Sequence, residues 1–238
     1  KKALELGMDI VVKIDGDGQM DISELKQFLD KIIDNDIDLV KGNRFFSGEA
    51  WETIPKVRYL GNATLSLLTK IVSGYWHLAD SQSGYFVGTR NLFGSIDLNH
   101  LFTDYGFPND LIIHANIANA RIVDIPIRPI YNVGEKSGIK YYKLIPKMSW
   151  LLFKRFLWRL KEKYIIRDFH PLVFFYLLGF IFGIISLVLF TRIFYVWCIL
   201  GAGIPSINAL AAMFSFMSFS QFTLFAMWFD MEYNKPLR

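Results

Sequence analysis

No Asp, Glu, Lys or Arg occurs between Leu172 and Phe190, and none occurs again between Ile193 and Phe229. About 20 apolar residues of helix cross a hydrocarbon core of ~30 Å. The first run fits one span. The second is too long for a single straight helix and is interrupted by "GAGIP" (Gly201 to Pro205), which predicts a turn there and a second span from about Ser206 to Phe229. Two such runs side by side argue against buried helices of a soluble core. A transmembrane hairpin is therefore expected over residues 169–230, making this an integral membrane protein.

The basic residues set an expected orientation. Ten Lys and Arg lie between Lys136 and Arg167 against one acidic residue, Glu162, whereas the connection between the spans offers only Arg192. Excess Lys and Arg mark the cytoplasmic side, so both flanks of the hairpin are expected in the cytoplasm. The net charge of +4 is mostly this belt. It suits attraction to an anionic membrane surface, not nucleic-acid binding. Within residues 141–168, Trp150, Phe153, Leu157 and Trp158 interleave with Lys154, Arg155, Arg159 and Lys161. That pattern predicts an amphipathic juxtamembrane segment lying in the headgroup layer. Cys198 is the sole cysteine, so no internal disulfide can form.

Residues 1–140 mix charged and apolar positions as a globular domain does. "KKALELG" reads as a last helical turn closed by Gly7. Strands are expected over Met8 to Ile14, Asp36 to Gly42, "SGYFVGT" and Arg121 to Ile127. Helices are expected over Ile22 to Ile33, Pro55 to Ser73 and Asn109 to Ala118. Strands alternating with helices predict an α/β layer with a mostly parallel sheet, whose ligands collect beyond the carboxyl ends of the strands.

At one such end lies "VKIDGDGQMD", Val12 to Asp21. Two carboxylates in a glycine-rich turn could form a calcium loop, a catalytic metal site or an ordinary polar turn. Aligned as an EF-hand, "KIDGDGQMDISE" offers Asp15, Asp17 and Glu24. It puts Lys13 at the first ligand position, however, and follows a strand where an EF-hand needs a helix. Asp-Gly pairs are also common turn formers. His77, His100, His114 and His170 show no metal spacing.

"DGDGQMD" after a strand resembles the Asp-x-Asp motif of family 2 GT-A glycosyltransferases. Within that family the chain is similar to the dolichol-phosphate mannosyltransferase-like enzymes, which transfer sugars to polyprenyl phosphates. "KGNRF" (Lys41 to Phe45) resembles the family's Gly-x-Arg segment, and "DSQSGYF" (Asp80 to Phe86) its Ser-Gly-Phe motif. "FPNDLIIHANIANARIVDIPI" resembles the acidic helix and strand before a closing loop, here "GEKSGIKYYK". The motifs occur in family order along nearly the whole chain.

The resemblance implies an inverting transferase that moves a sugar from a UDP- or GDP-sugar to a membrane polyprenyl phosphate. It implies that Asp15, Asp17 and Gln19 hold Mg²⁺ or Mn²⁺ and the donor, with Ser83 and Gly84 flanking the donor. Arg44 and Lys136 would bind the acceptor phosphate, and Asp17 and Asp110 would be catalytic. Two departures bear on this: "SGYFVGTR" displaces Arg90 from the family's Ser-Gly-Phe-Arg position, and the closing loop reads Glu-Lys-Ser, so Lys136 is matched by position only. Family members also begin with nucleotide-binding strands upstream of this motif. The chain is accordingly expected to be the later part of a longer GT-A domain. Other readings are a family 2 transferase with a hydroxyl acceptor on a glycan or glycolipid, in which Asp110 would be the base, and a membrane-tethered, non-enzymatic cation-binding subunit.

Overall fold

The computed structural model describes residues 1–47, 56–128, 130 and 141–238. The chain divides into two compact units, residues 1–159 with 234–238, and residues 160–233.

In the first unit a short helix α1 (Lys2–Glu5) precedes β1 (Ile10–Lys13). A 3₁₀ turn (Ile22–Glu24) then leads into α2 (Leu25–Asp34). Asp21 caps that turn by accepting the Ser23 N–H at 2.8 Å. There follow β2 (Leu39–Asn43), α3 (Lys56–Ser73), β3 (Phe86–Thr89), α4 (Arg90–Ser95), α5 (Phe107–Ile117) and β4 (Ile122–Pro126). The short α4 was not expected from the sequence; Thr89 caps it by accepting from the Leu92 N–H.

The α/β class is as expected, but the sheet is mixed where a mostly parallel one was predicted. Its order is β1-β3-β2-β4. β3 runs antiparallel to both β1 and β2, and only β2–β4 is a parallel pair. β1, β2 and β4 thus share one direction. The segment before β3, residues 79–85, is held at their carboxyl edge by side chains of β2 and β4 described below. A strand starting at that edge has to run back between its neighbours.

Alternation along each strand separates two cores. Leu39, Phe86 and Ile122 join Leu111 and Ile112 of α5 on one face. Val40, Val87 and Ile125 join Phe28 and Ile32 of α2 on the other. A long helix α6 (Tyr141–Lys161) follows. One of its faces packs through Leu152 against Val72 of α3 and Ile113 of α5. Its other face leaves Tyr142, Ile145, Trp150, Phe153 and Leu157 exposed.

The second unit holds a π-helical turn (Glu162–Arg167) and two helices, α7 (Leu172–Cys198) and α8 (Ser206–Tyr233). Both are long and apolar enough to cross a membrane, and only 17% of each apolar window is buried. A soluble core helix would be mostly covered, so this exposure suits a lipid-facing pair. The turn between them falls at Gly201 to Pro205, as expected. Gly179 and Gly183 let the helices approach: a Cβ on Gly179 would lie 2.8 Å from Thr223 Oγ1. Small residues four apart are a common means of close helix contact in lipid. Phe182 stacks on Phe222 across the same seam.

Candidate functional site

The carboxyl ends of β1 and β2 and the start of β3 meet at one edge of the sheet. There the register sets a row across the strands: Lys13 opposite Phe86, Phe86 opposite Lys41, and Lys41 opposite Asp124. Residues directly opposite share a face, so all four side chains stand on the α5 side, where the apolar core gives way to charge. Each lysine Nζ lies 6.0 Å from the Phe86 ring centroid.

Just beyond β1, Asp15 and Asp17 project from the turn. Asp17 Oδ1 accepts the Gln19 N–H at 3.0 Å, closing a local loop. Gly18 sits at φ +74°, a left-handed conformation that favours glycine. Gln19 O accepts the Ile130 N–H at 3.0 Å. The Asp15 side chain is 42% exposed and pairs with the Lys13 ammonium. Gly84 lies directly against it: a Cβ there would fall 2.0 Å from Asp15 Oδ2. The fold therefore brings the "DGDGQ" and "DSQSGYF" segments, more than sixty residues apart in sequence, into contact at a carboxylate.

Among the described residues no group of three or more His, Cys, Asp or Glu is arranged to hold a metal. Two carboxylates and an amide oxygen on an open turn instead suit a small hard cation that keeps water and takes phosphate oxygens as further ligands. The Lys13 ammonium already pairs with Asp15, so a cation at this turn would share that carboxylate with Lys13 or displace it. β1, not a helix, enters the turn, which removes the geometry an EF-hand requires.

The segment 79–84 is fixed along its length. Asp124 Oδ2 accepts the Ala79 N–H at 2.7 Å and Asn43 Nδ2 at 2.9 Å. Asp80, fully buried, receives the Arg44 fork through Nε at 2.7 Å and Nη2 at 2.9 Å. Asn109 donates to Ser81 Oγ at 3.1 Å and accepts from Gln82 Nε2 at 2.7 Å. Lys41 donates to the Ser83 carbonyl at 2.8 Å.

Burial and charge oppose one another in this cluster. Burial alone would raise the Asp80 carboxyl, but the Arg44 guanidinium and its hydrogen bonds outweigh it and hold Asp80 below its ordinary value. Asp124 has less compensation, and burial pushes it up to about 6 despite the Ala79 N–H and the nearby Lys41 charge. Its Oδ1 is buried without a hydrogen-bond partner among the described residues. Burial also pulls Lys41 down to about 8, against the opposing charges of Asp124 and Asp80.

The structure thus sets Asp15 against Gly84, with Asp17 and Gln19 on the same turn as Asp15 and with Ser83, 1% exposed, next to Gly84. It gives Arg44 a buried carboxylate as partner, where the sequence suggested a phosphate. Asp110, fully buried, faces α6: its Oδ2 accepts the Phe102 N–H at 2.8 Å and Arg155 Nη2 at 2.9 Å. Burial would raise this carboxyl too, but His114, Phe102 and Arg155 hold it below its usual value. Lys136 and its loop lie outside the described residues. Sequence reasoning singled out none of Lys41, Asp80 and Asp124. Lys41 and Asp80 do fall inside quoted motifs, so their position was available even though their partners were not.

The fold and site define an α/β layer with an open, acidic turn at the carboxyl edge of its strands, followed in sequence by two apolar helices. No family model matches the chain. It is 30% identical over 131 residues to the UDP-N-acetylglucosamine–dolichyl-phosphate N-acetylglucosaminyltransferase of Methanococcus voltae, covering 55% of this chain and 52% of that protein. It is 30% identical over 125 residues to the undecaprenyl-phosphate mannosyltransferase of Micrococcus luteus, covering 52% and 50%. The chain spans about half the length of the curated relatives it matches. Among solved structures it is similar to glucosyl-3-phosphoglycerate synthase from Mycobacterium tuberculosis, at 18% identity and a TM-score of 0.43, over 64% of this chain and 50% of that one.

Proposed function

We propose that the protein is a membrane-anchored, inverting glycosyltransferase that moves one sugar from a nucleotide-sugar donor to a polyprenyl phosphate. The observation that carries this reading is the contact between Gly84 and the Asp15 carboxylate. It joins two motifs of the resembled family at one point, on a chain with two apolar helices. Both named relatives act on polyprenyl phosphates according to their names.

Asp15, Asp17 and Gln19 bind a divalent cation together with the donor diphosphate, and Ser83 and Gly84 wall the donor beside them. When bound, the cation neutralises charge on the leaving nucleoside diphosphate. A phosphate oxygen of the acceptor attacks the anomeric carbon from the face opposite the donor's diphosphate. The carbon–oxygen bond to that diphosphate breaks, and its electron pair leaves on the diphosphate oxygen. The acceptor is already anionic at pH 7 and needs no base.

Lys136 keeps the acceptor-phosphate role, while Arg44 anchors the 79–84 segment through Asp80. Asp110 ties α5 to α6 through Arg155. A carboxylate held low and buried in an ion pair is a poor base, which disfavours the hydroxyl-acceptor reading. The exposed apolar stripe of α6 lies in the headgroup layer, and the active face is cytoplasmic, as the basic belt indicates.

The test uses the full-length protein in membranes, supplied with radiolabelled UDP- and GDP-sugars and Mg²⁺ or Mn²⁺. Cation-dependent label in an acid-labile lipid, lost in Asp17→Asn, is the expected result. Label in an acid-stable glycolipid or glycan would move the reading to a hydroxyl acceptor. No label in any fraction would refute transfer altogether.

A further inference from the structure

Lys41 is 1% exposed. An ammonium taken wholly out of water is costly unless it is paired and hydrogen-bonded. Taking out one member of a buried charge cluster leaves the others uncompensated, so Lys41 contributes to stability through Asp124 and Asp80. Those charges do not by themselves dictate where its ammonium donates, and that contact is the informative one. Its ammonium also faces away from the role of phosphate ligand: Nζ donates into the protein, to the Ser83 carbonyl at 2.8 Å.

The groups around it come from every neighbouring element. Asp124 on β4 and Asp80 before β3 attract it, Arg44 after β2 and Lys13 on β1 repel it, and the Phe86 ring of β3 lies alongside. The carbonyl it holds belongs to the residue just before Gly84, and Gly84 is the surface against which the Asp15 carboxylate rests. A carbonyl free to rotate at Ser83 would let Gly84 move, and the carboxylate would lose its seat.

We propose that Lys41 is a positioning residue for the cation turn. Its buried ammonium fixes the Ser83 carbonyl and, through the next peptide, sets Gly84 against Asp15. The assignment rests on the reading of Asp15 and Asp17 as cation ligands. It makes Lys41 an outer partner of the site, one that touches neither cation nor sugar. Outer partners of metal ligands are commonly worth 10–100-fold in metal affinity or activity.

The experiment measures Mn²⁺ binding by the full-length protein in lipid nanodiscs, with UDP or GDP present, from the electron paramagnetic resonance signal of the free ion. Wild type, Asp17→Asn and Lys41→Met are compared, and their thermal unfolding is followed in parallel. Lys41→Met should unfold earlier than wild type, and the protein that remains folded well below that transition should bind Mn²⁺ about 10-fold or more weakly. Lys41→Gln, uncharged but still a donor, should recover part of that loss.

Wild-type Mn²⁺ affinity in a folded Lys41→Met protein overturns the proposal. If Lys41→Met does not fold, Lys41→Gln carries the test: weakened binding in a folded protein supports the proposal, and wild-type binding overturns it. Equal binding by wild type and Asp17→Asn would instead remove the cation reading itself, and this proposal with it.

Discussion

Replacing Gly84 by alanine should disable the cation turn while sparing the fold. The new Cβ would lie 2.0 Å from Asp15 Oδ2, 2.9 Å from Asp15 Cγ and 2.8 Å from Lys13 Nζ. Ordinary contact begins at 3.4 Å, so the carboxylate has to retreat by about 1.4 Å or the glycine has to move by as much. Asp15 is the easier to displace, because its side chain is 42% exposed and opens onto solvent. The stability change should therefore stay within about 1 kcal/mol. The geometric effect is larger, since a displacement of about 1 Å at a positioned group can cost on the order of 100-fold in rate. That factor corresponds to about 2.7 kcal/mol of lost transition-state stabilisation. Lipid-extractable label from membranes carrying Gly84→Ala, measured against Mn²⁺ concentration, should show this fall together with a raised Mn²⁺ requirement. The melting temperature should move by only a few degrees. Activity within threefold of wild type at an unchanged Mn²⁺ requirement would show that Asp15 does not depend on this seat, and the site geometry argued above would be wrong.

Other perturbations test other parts of the molecule. Arg44→Met leaves the buried Asp80 carboxylate unpaired and should destabilise the α/β unit by ~3–5 kcal/mol, read as an earlier transition in denaturant; Arg44→Met together with Asp80→Leu should recover much of it. Asp124 binds its proton more tightly in the folded state, at about 6 against an ordinary 3.8. The folded state therefore holds more protons between those values, and this carboxyl's contribution makes stability fall as pH rises through that window. Asp124→Asn should flatten that part of the stability–pH curve measured by denaturant titration. A nitroxide at Trp150 or Phe153 should be more accessible to oxygen than to a water-soluble nickel chelate if the exposed stripe of α6 enters the headgroup layer. Gly179→Leu should drive α7 and α8 apart at Thr223, reducing heat resistance of the hairpin measured by loss of helical circular dichroism.

Much of this architecture was legible because it depends on local pattern. The uncharged runs, the "GAGIP" break and the strand before "DGDGQ" each announce themselves within a few residues. What escaped depends on pairings made at long range. Alternation alone puts Lys41 on one face of β2, but not between Phe86 and Asp124; that follows from β3 entering between β1 and β2. The same insertion explains the sheet's mixed sense. Arg44 was matched to its motif, yet its partner Asp80 stands thirty-six residues later and its burial comes from the fold. Asp110 stood at the expected place in its motif, while the arginine that engages it lies forty-five residues on, in a helix read chiefly as a membrane element.

The transverse row of Lys13, Phe86, Lys41 and Asp124 also works as a check on assembly. Side chains alternate with period two, so a slip of β2 by one residue turns its whole pattern over. Lys41 would then be driven among Phe28, Ile32 and Val87 on the α2 face, away from Asp124 and Asp80. Val40 would take its place beside the Ser83 carbonyl. A misregistered sheet would thus bury a charge in its apolar half and leave the Ser83 carbonyl without its Lys41 donor. The same charges mark one strand alignment as the correct one, so a chain that reaches this register has already set Lys41 against the Ser83 carbonyl beside Gly84.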